Sequence, residues 1–219
     1  MSLDRIDWPQ IGFAALDTLA MLGGALFFTV LFGLPLGVLL FLTGRGQLLQ
    51  QGAVYAVLSF VLNILRSVPF IILLIVLMPV TTLITGTSLG VRGVIPPLVV
   101  GTTAFFARLV ETALREVDHG VIDASQAMGG TIGQIVFRAL LPEALPGILA
   151  GITVTAIVLV DYTAMSGAIG GGGIGDLAIR YGYQRFQTEV MIVTVVLLII
   201  LVQLLQAAGN RLVLHFSRK

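Results

Sequence analysis

Cysteine is absent from this 219-residue chain, which excludes a disulfide framework, a thiolate nucleophile and any cysteine-held metal. Histidine occurs only as the solitary His119 and His215, so the zinc-hydrolase spacing H-E-x-x-H is missing. Charge is equally scarce. Lys+Arg number 12 and Asp+Glu 11, together 11% of the chain, where soluble domains carry about 25%. The net charge of +1 includes no clustered basic stripe of the kind that binds nucleic acid. No acidic cluster suits metal-bound phosphate chemistry, and no enzymatic reading survives. What the chain does have is apolar mass, with 57% hydrophobic residues and a mean hydropathy of +1.05. A water-soluble fold this small cannot bury so much apolar surface in one core. Its solvent is therefore lipid.

The few charges divide the chain. Uncharged runs cover residues 18–44, 46–65, 67–91, 93–107, 144–160, 162–175 and 190–210. A helix needs about 20 apolar residues to cross a bilayer. This predicts five spans, roughly Thr18–Leu42, Ala53–Met78, Val94–Leu114, Leu145–Ile169 and Val190–Gln206. The run Phe27-Phe28-Thr29-Val30-Leu31-Phe32 lacks the alternation of a barrel strand. The expected fold class is an all-α integral membrane protein, a single transmembrane domain over residues 1–219. Asp4, Arg5, Asp7 and Asp17 make the start net acidic, whereas a signal peptide starts basic, so the first span is expected to stay uncleaved. With five spans, one side carries Arg5, Arg92, Arg180 and Arg185. The other carries Arg45, Arg108, Arg115, Arg138, Arg211, Arg218 and Lys219. The positive-inside rule puts the richer side in the cytoplasm, with the N-terminus out and the C-terminus in.

One segment stands apart, because residues 108–143 hold eight of the charges. Arg108, Glu111 and Arg115 share a helix face, and Glu111 to Arg115 is the favourable i,i+4 order. Exposed pairs of this kind contribute little, so a solvated helix end is expected. Gly120 to Met128 then reads as a short helix whose face at 121, 124, 125 and 128 is made largely of small residues. Gly129 suits the left-handed position that ends helices. Thr131 can cap a second helix, in which Ile132, Ile135, Val136, Ala139 and Leu140 recur at helical spacing until Pro142 stops it. The expectation is a helix–glycine–helix hairpin at about residues 116–143, on the cytoplasmic face. Its small side chains would let another protein's backbone approach closely.

Asp123-Ala124-Ser125, Gly129 after three intervening residues, and Leu141-Pro142 after Ala139 together resemble the EAA loop of ABC importer permeases. Asp123, Ser125 and Ala139 depart from its consensus. Over roughly residues 16–215 the resemblance narrows. Asn63-Ile64-Leu65-Arg66-Ser67-Val68-Pro69-Phe70, Ala124-Ser125-Gln126-Ala127-Met128-Gly129, Leu141-Pro142-Glu143-Ala144-Leu145-Pro146-Gly147 and Tyr162-Thr163-Ala164-Met165-Ser166-Gly167 are similar to the methionine branch of amino-acid importer permeases. The resemblance implies a multi-pass subunit of a bacterial inner membrane that takes up methionine by alternating access. It implies that the hairpin (Asp123, Ala124, Ser125, Gly129, Leu141, Pro142) couples to a separate cytoplasmic ATPase present in two copies, which binds ATP and Mg. It also implies an extracytoplasmic binding protein that delivers the substrate. One hairpin per chain suits a C2 homodimer with the pore on its axis. No cofactor is expected in the chain itself.

Charges and breakers inside the spans are the candidates for the pathway. Arg66 follows Asn63 on one helix face, and Pro69 kinks the helix just beyond. A mid-membrane cation costs about 2.5–3.5 kcal/mol, so Arg66 either snorkels onto freed carbonyls or serves translocation. Asp161 lies about 22 Å along a span starting at Pro146, at a position where the methionine branch has a small residue. It lines the pathway, pairs with Arg66, reaches the outer interface or is only an accident of packing. Met165, set among Tyr162, Ser166 and small residues, is adaptable enough for a plug as well as for core filling. In the resembling family its motif position closes the pathway. Gly170-Gly171-Gly172-Gly173-Ile174-Gly175 matches G-x-G-x-x-G, but without a βαβ unit it is no nucleotide site. A flexible outer loop is expected there instead. Two alternatives stay open: a permease for another small amino acid or peptide, and an ATP-independent secondary transporter, against which the absence of an internal repeat counts.

Overall fold

A computed structural model describes residues 7–217; Asp4, Arg5, Arg218 and Lys219, counted in the charge balance, lie outside them. The described residues form helices α1 (Trp8–Thr43), α2 (Gly52–Ser67), α3 (Phe70–Thr85), α4 (Gly90–Arg115), α5 (His119–Ala127), α6 (Ile132–Ile135), α7 (Leu141–Ser166), α8 (Gly173–Leu177) and α9 (Thr188–Phe216). A 3₁₀ turn, Gly167–Ile169, extends α7, and π-helical turns occupy Val136–Leu140 and Ala178–Tyr183. No strand occurs among the described residues.

Among the described residues, four helical stretches are long and apolar enough to cross a membrane: Trp8–Thr43, Gly90–Arg115, Ile132–Ile169 and Thr188–Phe216. The second expected span, Ala53–Met78, is not one kinked helix but two, α2 and α3, bent by 107°. The cause is local. Pro69 offers no N–H and pushes Val68 into extended conformation, at φ −83° and ψ 124°. The first span also starts earlier than its charges imply, at Trp8 instead of Thr18. Asp7 caps it, its carboxylate accepting from the Gln10 N–H at 3.2 Å. Pro9 follows in the first turn, where a missing N–H costs nothing. Asp17 simply rides on the helix, half-buried.

The bundle is organised around α1 against α4. Gly33 and Gly37, one turn apart, let the two backbones meet. A Cβ on Gly37 would lie 2.5 Å from the Val110 Cβ, and one on Gly33 2.8 Å from the Phe106 ring. Such small-xxx-small contacts are how helices pack where lipid removes the hydrophobic drive. Alongside, the Thr29 and Thr102 hydroxyls share a hydrogen bond of 2.7 Å. One core cluster gathers Phe41, Phe106, Val110, Leu114, Ile122 and Leu140 at the hairpin end. Another gathers Met21, Leu22, Phe70, Leu98 and Leu159. Outer faces stay apolar, with Phe13, Phe27, Leu83 and Leu204 exposed.

The glycine run is not a flexible loop. A Cβ on Gly167 would stand 2.2 Å from the Asp176 backbone nitrogen, and one on Gly175 would stand 2.4 Å from the Ala164 Cα. The Ile174 N–H donates to the Thr18 hydroxyl at 2.9 Å, and the Gly90 N–H donates to the Gly170 carbonyl at 3.0 Å. The glycines permit contact rather than motion, and they seat α8 directly on α7 and α1.

Candidate functional site

The hairpin is built largely as its sequence predicts. Asp118 caps α5, its carboxylate accepting from the Gly120 N–H at 2.6 Å. Ile122 turns inward and packs in one cluster with Val117, Ile135 and Leu140. Asp123, Ala124 and Gln126 face outward, and Met128 at the tip is 82% exposed. Ser125 is half-buried and donates to the Val121 carbonyl at 2.7 Å. Gly129 holds φ +76°, the left-handed value expected of it. Its neighbour Gly130 matters as well. The Gly130 N–H donates to the Ser125 carbonyl at 3.0 Å, where a Cβ would stand 2.9 Å from that same oxygen. Thr131 and Gln134 cap the next helix reciprocally, at 3.4 and 2.9 Å.

Pro142 does not stop that helix. The preceding turn widens to π geometry, with the Leu141 N–H reaching the Val136 carbonyl, and absorbs the missing proline donor. Ile132 to Ile169 is therefore a single 38-residue stretch. Leu141 is half-buried in it and Pro142 exposed.

The charges at the end of α4 are not a solvated face. Glu111 is only 4% exposed. Its carboxylate accepts from Arg108 Nη1 at 2.7 Å, from Arg115 Nη2 at 2.8 Å and from the Tyr55 hydroxyl at 3.2 Å. Arg108 also donates to the Ser59 hydroxyl and, at 3.2 Å, to the Asn63 side-chain oxygen. Tyr55, Ser59, Asn63 and Arg66 form a polar stripe along α2. Their spacing of three and four residues in an apolar helix is the signal that points to this network.

Arg66 ends that stripe. Its guanidinium lies 5.9 Å from the centre of the Phe105 ring, and it lines an open cavity of about 160 Å³ with Phe70, Gly101, Phe105 and Tyr162. Tyr162 stacks on Phe70 at 4.1 Å between ring centres. Arg66 and Tyr162 are thus brought together. Asp161 is exposed on the next face of α7 and, among the described residues, neither it nor any other carboxylate pairs with Arg66. Asp161 shares its stripe with Val154, Met165 and Ala168, all exposed, with Met165 at 47%. Ser166 departs from the expected pathway set. It is fully buried, donates to the Thr163 carbonyl at 2.7 Å and lies against Met21 of α1. Its hydroxyl packs the bundle and lines no open face. No group of three or more potential metal ligands occurs among the described residues.

Residues 33–219 match the family described as binding-protein-dependent transport system inner membrane component. The chain belongs to that family. Its relatives include a probable D-methionine transport system permease protein of Pasteurella multocida, 44% identical over 97% of this chain and 98% of that one. A methionine import system permease protein of Bacillus subtilis is 49% identical over 78% of each. Among solved structures, the inward-facing MetNI methionine ABC transporter is 46% identical, with a TM-score of 0.96 over the whole of both chains. A further amino acid ABC transporter shares the fold at a TM-score of 0.75 and 19% identity.

Proposed function

We propose that the chain is the membrane-spanning permease subunit of an ATP-driven importer for methionine, and that it works by alternating access. The observation that carries this reading is the full-length likeness to the methionine transporter, at 46% identity and a TM-score of 0.96. The permease hydrolyses nothing itself; ATP and Mg belong to a separate ATPase, two copies of which dock under two copies of this chain in a bacterial inner membrane. The N-terminus lies outside and the C-terminus in the cytoplasm, so the hairpin of α5 and α6 meets the ATPase. Asp123, Ala124 and Met128 supply its exposed face, Gly129 its turn, and Leu141 and Pro142 its junction with α7. A binding protein delivers substrate on the outer side. The exposed stripe of α7, with Asp161 and Met165, faces the pathway, and Met165 closes it. Arg66 and Tyr162 line its side cavity.

Uptake of labelled L-methionine tests this in cells lacking their own methionine importers, supplied with this chain, its ATPase and its binding protein. The expected result is uptake that an ATPase-dead partner abolishes, with methionine the best competitor. ATPase-dependent uptake favouring another amino acid would remove methionine and keep the permease. Uptake that survives the dead ATPase would make the chain a secondary transporter.

A further inference from the structure

Three arginines lie along the contact of α2 with α4, and they are not treated alike. Arg108 and Arg115 share the carboxylate of Glu111. Arg66 has no carboxylate within 4.0 Å among the described residues; its guanidinium lies over the face of the Phe105 ring. Phe105 lies ten residues before Arg115 on α4, about 15 Å further into the span at 1.5 Å per residue. Arg66 is exposed in the isolated chain, and at that depth a guanidinium that met lipid would be costly; a ring face recovers only part of that cost, so the group needs water, a partner or an anionic ligand.

What surrounds it reads as a binding site. The helix break at Val68-Pro69 opens the cavity that Arg66 lines. Broken helices at membrane depth are where transporters expose polar groups to substrate. The other walls are Leu65, Val68, Leu73 and the Tyr162–Phe70 stack, with Gly101 between the aromatics. A Cβ on Gly101 would already touch Phe70, Leu73 and Tyr162 at 3.4–3.6 Å. One cation faces apolar and aromatic surface in about 160 Å³, on the scale of a cavity that takes one benzene-sized group. That chemistry fits a small ligand with one anionic end and one apolar end.

We infer that this cavity is a substrate subsite in which Arg66 holds the α-carboxylate of the transported amino acid, while the Tyr162–Phe70 stack and Phe105 receive its side chain. The inference rests on the proposed function. Guanidinium–carboxylate pairing is bidentate and charge-assisted. A polarizable thioether also sits well against aromatic rings, so the walls favour methionine over polar amino acids.

The test is equilibrium binding of labelled L-methionine to the assembled permease–ATPase complex in phosphatidylcholine nanodiscs, without binding protein. The competitors are L-methionine, L-methioninamide and inorganic phosphate. The amide should compete at least about tenfold more weakly than the acid, and Arg66→Gln should weaken L-methionine by a similar factor, since hydrogen bonds to charged groups carry that much. Arg66→Lys should recover part of the loss. Gel filtration of the complex shows whether each variant assembles. Where Arg66→Gln does not, the comparison of acid with amide on the unaltered protein decides. Equal competition by acid and amide, or full binding by Arg66→Gln, overturns the inference. So does displacement by phosphate, or binding that responds only to added phosphatidylglycerol, because the anion is then a phosphate. If Asp161→Asn alone abolishes carboxylate preference, Arg66 belongs to an ion pair within the assembly and the inference fails. ATPase-dependent methionine uptake that persists unchanged in Arg66→Gln sinks this inference and spares the proposed function. Loss of ATPase-dependent uptake in the unaltered protein removes both.

Discussion

Replacing Glu111 by alanine tests whether the charged end of α4 is structural. Glu111 is 4% exposed, and two guanidinium groups share its single negative charge through contacts of 2.7 and 2.8 Å. Removing one partner of a buried pair costs about 3–5 kcal/mol, because the charge left behind is uncompensated. Here the two arginines differ. Arg108 is 17% exposed at its side chain and Arg115 43%, so water rescues Arg115 but not Arg108. The lower end, about 3 kcal/mol, is the expected loss. At about 2–4 °C per kcal/mol for a chain of this size, the midpoint of thermal unfolding should fall by about 6–12 °C. Detergent-purified protein heated and then assayed by gel filtration gives that midpoint. An internal control is Asp176→Asn, which breaks the pair with the half-exposed Arg180. It should cost less than about 1 kcal/mol. Glu111→Ala with Arg108→Met should be less damaged than Glu111→Ala alone, since the orphaned charge leaves with the second substitution. If Glu111→Ala melts no lower than Asp176→Asn, the burial argument is wrong.

Two further outcomes follow from packing and exposure. Gly37→Val must push α4 off α1, since even a Cβ would sit 2.5 Å from Val110; a loss of about 3 kcal/mol is expected, whereas Gly12→Val, with nothing within 4 Å, should leave the melting temperature in place. Met128→Glu, at a position 82% exposed, should change stability by less than about 0.5 kcal/mol, yet cut co-purification of the ATPase at least tenfold; unchanged co-purification would remove the hairpin tip from the docking surface.

Hydropathy and charge spacing were enough to read the helical class and most spans, because lipid makes apolar length nearly a structural statement by itself. They misplaced the boundaries for one reason. A charge is not always an edge of the membrane or a solvated group: Asp17, just outside the expected first span, rides half-buried within α1, and Glu111, expected on a solvated helix end, is buried between its arginines. The hairpin was legible down to Gly129 and the Thr131 cap, both signals of local backbone chemistry. That Pro142 continues a helix is not legible, because its remedy, a widened turn five residues long, lies upstream in Val136–Leu140 and carries no residue signature. The glycine run failed similarly. Glycine at Gly175 serves a contact with Ala164 that is distant in sequence, and composition alone cannot tell close packing from freedom. Arg66 and Tyr162 were each visible as unusual residues, but nothing in their spacing showed that one cavity joins them.

The continuity of α6 into α7 has a consequence under the proposed function. Ile132 to Ile169 is one helical stretch, so the hairpin and Met165 sit on one body, about 50 Å apart at 1.5 Å per residue. Ile122 and Ile135 anchor α5 and α6 into the same core as Phe106 and Val110 of α4, and the Gly33–Gly37 surface locks α4 to α1. A displacement of the hairpin by an ATPase therefore cannot be absorbed locally, because the close-packed core between them transmits strain instead of yielding. At the far end, α7 is clamped by α8 through the Gly167 and Gly175 contacts, while the stripe bearing Asp161 and Met165 is left uncovered. Motion entering at α5 thus emerges where the helix has a free face, and a gate belongs on that face.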